Sequence, residues 1–318
     1  MKRFVSALVL MSLAWAAQAQ AYPTRPIRLV VPFAAGSSID LLGRAVAQGL
    51  SDKLGQPVVV DSKPGAGSAV GASAVGNSQA DGYTLLLGTN ATFAVNPILY
   101  KKLPYDPNGF QYIGATGGMP SFLIVGANTP YKTFAEFIKA AKERPGAIKF
   151  ASSGVGSTGH LVGKVLENTA GIEMLHVPYK DGPQGLTATI TGEVDAIFYP
   201  SGAAMSMINS GKVRPLAVST GKRTADLPNV PTVAESGYPK FDLTGWTVLA
   251  APEKTPAAVV DKLKEAVASL YSNPAYLAKV DSLGLVTQKM TGKDLDAFVH
   301  AEQRSMADLA KRANIQPE

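Results

Sequence analysis

Three glycine- and serine-rich junctions hold most of the side chains with which this chain could do chemistry. They read Pro32-Phe33-Ala34-Ala35-Gly36-Ser37-Ser38-Ile39-Asp40, Lys63-Pro64-Gly65-Ala66-Gly67-Ser68 and Ser152-Ser153-Gly154-Val155-Gly156-Ser157-Thr158-Gly159-His160. Loops of this kind leave backbone N–H groups and small hydroxyls at the start of a following helix. An anion there is favoured by roughly 0.3–1 kcal/mol, and by up to ~2 kcal/mol when partly buried. Two such loops facing each other could hold a carboxylate without arginine or lysine. One loop alone reads as a tight turn with an N-cap; three in one chain point to an anion site. In open α/β sheets, ligands sit beyond the carboxyl ends of the strands, where these loops fall.

Residues for covalent or metal chemistry are sparse. Ser157 and His160 could pair as nucleophile and base of a periplasmic serine hydrolase, but no carboxylate is evident to complete a triad. Gly156-Ser157-Thr158-Gly159 lacks the spacing of a nucleophile elbow, the loops lack a Walker lysine, and Gly65-Ala66-Gly67 lacks the third glycine of a dinucleotide fingerprint. His160, His176 and His300 form no metal-ligand pattern. The absence of cysteine excludes disulfides, thiolate zinc sites and iron–sulfur clusters. No cofactor, metal or enzymatic activity is expected. Asp40, three residues after Ser37, reads as the closing member of a capping box, with partnership to a ligand amine as the second reading. The aromatics Tyr179, Tyr199 and Trp246 fall near strand ends, where core packing and cleft lining are both open to them.

The elements that must position these loops alternate along the chain. With 318 residues, 46% hydrophobic and 17% charged, the chain is globular rather than disordered and long enough for about two domains at ~150 residues each. Lys2 and Arg3, the apolar run Phe4 to Ala16 and the small residues Ala17, Ala19 and Ala21 read as a signal peptide over 1–21, cleaved after Ala21 or Ala19. The run is shorter than the ~20 residues of a membrane span. Its removal lowers the formal charge from +6 to +4, and the remaining basic residues are scattered, so no nucleic-acid partner is expected. Short apolar runs at Ile27–Val31, Val58–Val60, Thr84–Leu87, Phe122–Val125, Met174–Val177, Val194–Phe198, Val213–Val218 and Trp246–Ala250 predict strands covered on both faces. Helical stripes lie between them, one opened by a Thr133 to Glu136 capping box. The pattern predicts an α/β fold with mainly parallel sheets, followed by a helical tail from Thr255-Pro256 and from Thr291 that returns onto an earlier domain.

The order of local motifs carries a resemblance. Tyr22-Pro23-Thr24-Arg25-Pro26-Ile27-Arg28, Val31-Pro32-Phe33 with Gly36 and Asp40, Leu54-Gly55-Gln56-Pro57-Val58-Val59-Val60, Pro64-Gly65-Ala66-Gly67, Asp81-Gly82-Tyr83-Thr84-Leu85, Leu103-Pro104-Tyr105-Asp106, Ser153-Gly154-Val155-Gly156-Ser157, His176-Val177-Pro178-Tyr179-Lys180 and Leu227-Pro228-Asn229-Val230-Pro231-Thr232 follow one another. In this the chain resembles the extracytoplasmic solute receptors of tripartite tricarboxylate transporters, the Bug proteins, over essentially its whole length after the signal.

That resemblance implies a bilobed, type II periplasmic binding protein of two α/β domains that closes on a small carboxylated solute, mono- or dicarboxylate. It implies a monomer that hands the solute to membrane permease subunits, with a sensor kinase as the alternative partner. Lobe 1 would comprise 22–120 and 246–318, and lobe 2 residues 121–245. Ligand contacts carried over from the family are Phe33, Ala34, Ala35, Gly36, Ser37 and Ser38 from one lobe, and Ser152, Ser153, Gly156, Ser157 and Thr158 from the other. Thr89, Asn90, Tyr179, Asp181, Tyr199 and Ser201 would meet the variable end of the solute. Where the family usually reads Pro-Pro-Gly-Gly-Ser-Thr-Asp after the phenylalanine, this chain has Ala34-Ala35-Gly36-Ser37-Ser38-Ile39-Asp40. Ser37 replaces a glycine there, either narrowing the backbone approach or adding a hydroxyl donor. Asp181 stands where glycine is common, and would repel a second carboxylate or recruit an amine. Tyr179, Tyr199 and Met119 favour an aromatic or apolar-bodied acid.

Overall fold

The apolar runs become strands of two five-stranded sheets. A computed structural model describes residues 22–155 and 157–312, with the backbone alone for Ser201, Leu309 and Arg312. The expected signal peptide 1–21, Gly156 and the Ser201 side chain therefore lie outside the described residues. The first sheet has the order β2 (Val58–Ser62), β1 (Ile27–Val31), β3 (Thr84–Thr89), β10 (Thr244–Pro252), β4 (Phe110–Pro120). The second has the order β7 (Leu175–Pro178), β6 (Lys149–Ser152), β8 (Ala196–Tyr199), β5 (Phe122–Gly126), β9 (Val213–Val218). These sheets are the centres of two lobes.

The inner strands are buried on both faces, which is why they read as continuous apolar runs rather than alternating ones, while the edge strands β2 and β7 stay partly exposed. Ile27, Leu29 and Val31 point into one core cluster and Val30 into the one behind it. Leu85 and Leu87 are divided from Leu86 in the same way. In the second sheet Leu123 and Val125 face one core, Phe122 and Ile124 the other.

The sheets are mixed, not mainly parallel. β2, β1 and β3 run parallel, but β10 is antiparallel to both β3 and β4. In the second sheet β7, β6 and β8 run parallel, and β5 is antiparallel to β8 and β9. Strand direction leaves no trace in hydrophobic periodicity; it is set where the chain crosses from one sheet to the other. Two strands also went unread, β4 and β6. In β4 the sequence Phe110-Gln-Tyr-Ile-Gly-Ala-Thr-Gly-Gly-Met-Pro120 looks like a loop because of Gly114, Gly117 and Gly118. Its glycines answer to neighbours: a Cβ on Gly114 would lie 2.4 Å from Val267 Cγ1.

Helices α1 (Ser38–Leu54), α2 (Ala69–Gly76), α3 (Asn96–Leu99), α4 (Phe134–Glu143), α5 (Thr158–Ala170), α6 (Gly182–Thr191), α7 (Ser201–Asn209), α8 (Ala257–Leu270), α9 (Pro274–Ser282) and α10 (Gly292–Arg312) cover the faces. The Thr133 capping box forms as read: Glu136 N–H donates to Thr133 Oγ1, and Glu136 Oε2 accepts from Thr133 N–H. At α8 the proline occupies the N-cap position itself, one place earlier than expected. Helix α9, capped by Asn273 with Pro274 at its start, was signalled by that Asn-Pro pair and overlooked. The tail packs on the first sheet: Leu263, Val267 and Tyr276 join its front core, while Leu295, Val299 and Met306 surround Trp246 behind it. Trp246 is thus a core residue, fully buried, its indole N–H donating to Glu302 at 3.0 Å.

The chain passes between the sheets after β4 and again before β10, and buried Ser219 ties the two crossings. Its N–H donates to the Ser121 carbonyl (2.8 Å) and its Oγ accepts from Ser121 N–H (3.1 Å). Its hydroxyl donates to the Leu243 carbonyl (2.5 Å), and its carbonyl accepts from Leu243 N–H (2.8 Å). Substitution Gly114→Val would force a branched side chain against Val267 in a closed core. Overpacking of this kind costs about 1–3 kcal/mol, so the urea midpoint should fall while ligand affinity of the surviving native fraction is unchanged.

Candidate functional site

Four helices begin at one cleft between the lobes. It has a volume of about 760 Å³ and is bounded on the first lobe by Phe33, Ala34, Ala35, Gly36, Ser37, Ser38 and Ile39, and by Thr89, Asn90 and Ala91. The second lobe contributes Ser153, Ser157, Thr158 and Gly159; Lys180, Asp181, Gly182 and Pro183; and Phe198, Tyr199, Pro200 and Ala203. Met119 and Ser121 line it where the chain crosses over. The first residues of α1, α5 and α6 lie among these, as does Pro200, the N-cap of α7, so four positive helix ends meet at one space. Lys180 and Asp181 are the charged side chains that border it among the described residues.

Asp40 organises the first loop from beneath. Its carboxylate is buried and accepts from Gly36 N–H (2.9 Å), Ser62 Oγ (2.7 Å) and the Arg44 guanidinium (2.9 Å). Burial alone would raise its pKa, but the Gly36 N–H, Ser62 hydroxyl and Arg44 outweigh it and hold the carboxyl below the ordinary aspartate range. Ser37 caps α1, its Oγ accepting from Asp40 N–H at 3.2 Å. The box closes one residue earlier than read, because Asp40 reaches Gly36 N–H, where φ is +81° and the chain turns. Asp40 is committed to this scaffold and does not border the cleft.

Asn90 stands out on the first-lobe wall. It is buried, borders the cleft, and its Oδ1 has no hydrogen-bond partner within the protein. Neighbouring Thr89 is engaged locally, its N–H donating to Thr92 Oγ1 at 3.1 Å. A buried amide oxygen without a partner costs roughly 1–3 kcal/mol, and here it belongs to a residue that borders the cleft.

Two expected residues do not reach the cleft. Ser152 is turned beneath its loop, and Tyr179 points outward, its hydroxyl donating to Glu193 at 2.8 Å. Asp181 borders the cleft but is also the N-cap of α6, accepting from Gln184 N–H at 2.9 Å. Its carboxylate is thus partly committed. Burial, and then the nearby Asp181, raise the Tyr199 pKa, so the phenol stays protonated. Lys180, Phe198 and Ala203 were missed. Each is close to a strand end already marked, and the geometry of the strand ends could have drawn attention to them.

The comparisons with known proteins agree with this architecture. The family model described as the tripartite tricarboxylate transporter family receptor matches residues 42–315. The chain belongs to this receptor family. The protein BugT of Bordetella pertussis is 32% identical to it, over 92% of this chain and 90% of its own. The structure of R. palustris Rpa4515 with adipate superposes with a TM-score of 0.85 at 33% identity, covering 93% of this chain and 100% of that one. The periplasmic binding protein BugD gives a TM-score of 0.82 at 33% identity, with the same coverage. The bilobed solute-binding fold follows from these likenesses together with the two sheets.

In this receptor the second-lobe loop is held by a closed circuit. Ser152 Oγ lies 2.7 Å from His176 Nε2 and accepts from Gly154 N–H at 3.2 Å. The Gly154 carbonyl accepts both the hydroxyl (2.8 Å) and the N–H (3.2 Å) of Ser157, and Ser157 Oγ accepts from His160 N–H at 3.4 Å. The His160 ring then stacks on His176, centroids 4.1 Å apart and planes 23° from parallel, which closes the circuit. The sequence gives no sign of the pairing of His176 with Ser152, because Ser152 lies on another strand, brought alongside by the β6–β7 pairing. The Ser157 proton is directed at a carbonyl, an arrangement suited to shaping a loop rather than to nucleophilic attack.

Burial lowers the His176 pKa to about 3 and the His160 pKa to about 4, with the neighbouring imidazole and Lys164 adding to the effect at His176 and Lys164 at His160. Both rings are neutral at pH 7. An unfolded chain takes up these protons near pH 6.5 and the folded one does not, so stability is full above that pH and declines as pH falls from 6.5 toward 4. The ring C–H resonances of His160 and His176 should accordingly stay flat from about pH 7.5 to about pH 5, while the unfolding free energy falls below about pH 6.5. A titration midpoint near the ordinary histidine value in either ring would contradict the buried circuit. Replacing Asn90 by Leu removes the unpartnered oxygen; the unliganded melting temperature should hold or rise, while affinity for the cleft ligand drops by about tenfold or more.

Proposed function

We propose that this receptor is exported, captures a small organic acid between its lobes and delivers it to the permease subunits of a tripartite tricarboxylate transporter. The supporting observation is the convergence of four helix N-termini on a cleft whose bordering charged side chains, among the described residues, are Lys180 and Asp181. An anion there is met by peptide dipoles and neutral donors, each helix end contributing up to ~2 kcal/mol when partly buried. Micromolar affinity requires about −8 kcal/mol, which lies within the reach of such a set.

In this reading lobe 1 is residues 22–120 with 246–318, lobe 2 is 121–245, and the receptor acts as a monomer. One carboxylate is gripped by the amides and hydroxyls of the Ala34–Ser38 and Ser153–Thr158 loops. Ser37 keeps its own proton to donate, whereas Ser157 acts by holding its loop. Phe33, Met119, Phe198 and Tyr199 enclose an apolar body. Asp181 is partly occupied as a helix cap and Lys180 borders the same end of the cleft, which favours a second anionic group on the solute. The R. palustris relative with adipate, an acid with a carboxylate at each end of a methylene chain, supports that choice.

Thermal shift and calorimetry across aliphatic monocarboxylates, aliphatic dicarboxylates and aromatic acids test the proposal. A dicarboxylate with an apolar spacer should raise the melting temperature most; at a hundred times Kd the stabilisation is about 2.7 kcal/mol. Ser37→Ala should weaken every acid, and Lys180→Ala should weaken dicarboxylates while sparing monocarboxylates. No shift and no heat with any acid would defeat the proposal.

A further inference from the structure

Away from the residues that would hold a solute, the two lobes also meet backbone to backbone. Gly202 lies in the first turn of α7, between the cleft residues Pro200 and Ala203. A Cβ built on it would stand 2.0 Å from the Leu283 carbonyl oxygen, 2.4 Å from the Leu283 carbonyl carbon and 2.9 Å from Gly284 N. Separations under 3.0 Å are essentially never seen for a real Cβ. The opposing atoms are main chain, so no rotamer change relieves the contact.

The two partners belong to different lobes. Helix α7 leads from β8 to β9 of the second sheet. Leu283 caps α9 and packs against the front core of the first sheet. The turn it forms is fixed: Leu283 N–H donates to the carbonyls of Lys279 and Val280, Gly284 N–H to Asp281, and Leu285 N–H to Val280. Neither side can retreat without unravelling the end of a helix. A side chain at 202 is therefore accommodated by moving the lobes apart by about 1 Å or more, since packed elements shift as bodies rather than deform. The same turn of α7 carries Pro200 and Ala203 to the cleft, and a displacement of that size takes hydrogen bonds spanning the lobes outside their 2.7–3.2 Å range.

We propose that Gly202 sets the receptor's affinity by permitting the lobes to close to the juxtaposition of this structure, although it does not itself border the cleft. The glycine is a clearance at the rim: hydrogen alone lets α7 seat on the 283–284 turn. This rests on the reading that binding requires closure. Apparent affinity falls in proportion to the population of the competent state, so a tenfold loss of the closed form weakens all solutes about tenfold alike.

The cysteine-free sequence allows one label to be placed on each lobe. Lys139→Cys and Lys262→Cys, both exposed, carry spin labels for pulsed EPR on the unliganded protein. The native background should show a population at the separation of this structure. Gly202→Ala, whose Cβ by itself meets the Leu283 carbonyl, should empty it, and Gly202→Val should do the same. Each lobe of Gly202→Ala should fold as before, with unchanged far-UV circular dichroism, because the clash lies between the lobes and not within α7. In calorimetry with adipate and with benzoate, Kd should rise about tenfold or more for whichever acid the native receptor binds. An unchanged share of the closed population in both variants, or its absence from the native protein, overturns the proposal. If neither acid nor the wider panel binds while the EPR populations shift as stated, the carboxylate reading fails and the control of lobe closure by Gly202 stands. Should Gly202→Val not fold, Gly202→Ala decides the matter by itself.

Discussion

A helix N-terminus carries amide hydrogens that nothing in its own helix accepts, and here four of them share one space. Caps at Ser37, Ser157 and Asp181 answer one amide each, and the convergence of the helix ends that remain is the constraint around which the molecule is arranged. Each parallel strand of the two sheets delivers the chain to the same edge and hands it to a helix, so β1, β6 and β8 release α1, α5 and α7 toward the cleft, and β7 releases α6. The antiparallel strands serve the opposite purpose. β4 and β5 carry the chain from one sheet to the next, and β9 leads toward its return in β10.

Charge is handled in the same economical way. The buried carboxylate of Asp40 is consumed by Gly36, Ser62 and Arg44, which shapes the first loop without presenting a negative group to the cleft. Opposite it, two neutral histidines and two serines fix the second loop. Both loops are therefore held by networks one layer behind the surface they present, and preorganised donors lose little entropy when an occupant arrives. Ser219 supplies the corresponding fixity at the crossings, holding both connecting strands through one residue.

Much of this was legible beforehand, and the failures have physical causes. The continuous apolar runs gave away strands covered on both faces, and Ser37 and Thr133 marked helix starts that form where read. β4 was lost because its three glycines serve close packing against neighbours distant in the chain, such as Val267. The mixed character of the sheets escaped because periodicity reports burial and not direction. At the site, composition marked the glycine- and serine-rich junction at 32–40 and the family resemblance pointed to Phe33 to Ser38 within it, whereas Ser152 and Tyr179 were credited with a contact that their side chains make elsewhere. His176 became meaningful only once β6 lay beside β7.

What the sequence determined by itself is local: which segments are strands and helices, where helices begin, and that small residues and hydroxyls cluster at their starts. These are consequences of neighbours within about four positions, through capping, turn conformation and burial periodicity. The tertiary structure alone decided which helix starts face one another, which polar atoms are consumed by the scaffold, and that Asn90 keeps an acceptor without a partner. It also brought Gly202 against the carbonyl of Leu283, far along the chain and on the other lobe. Such pairings depend on how two sheets are stacked and joined, and no residue type carries that information in isolation.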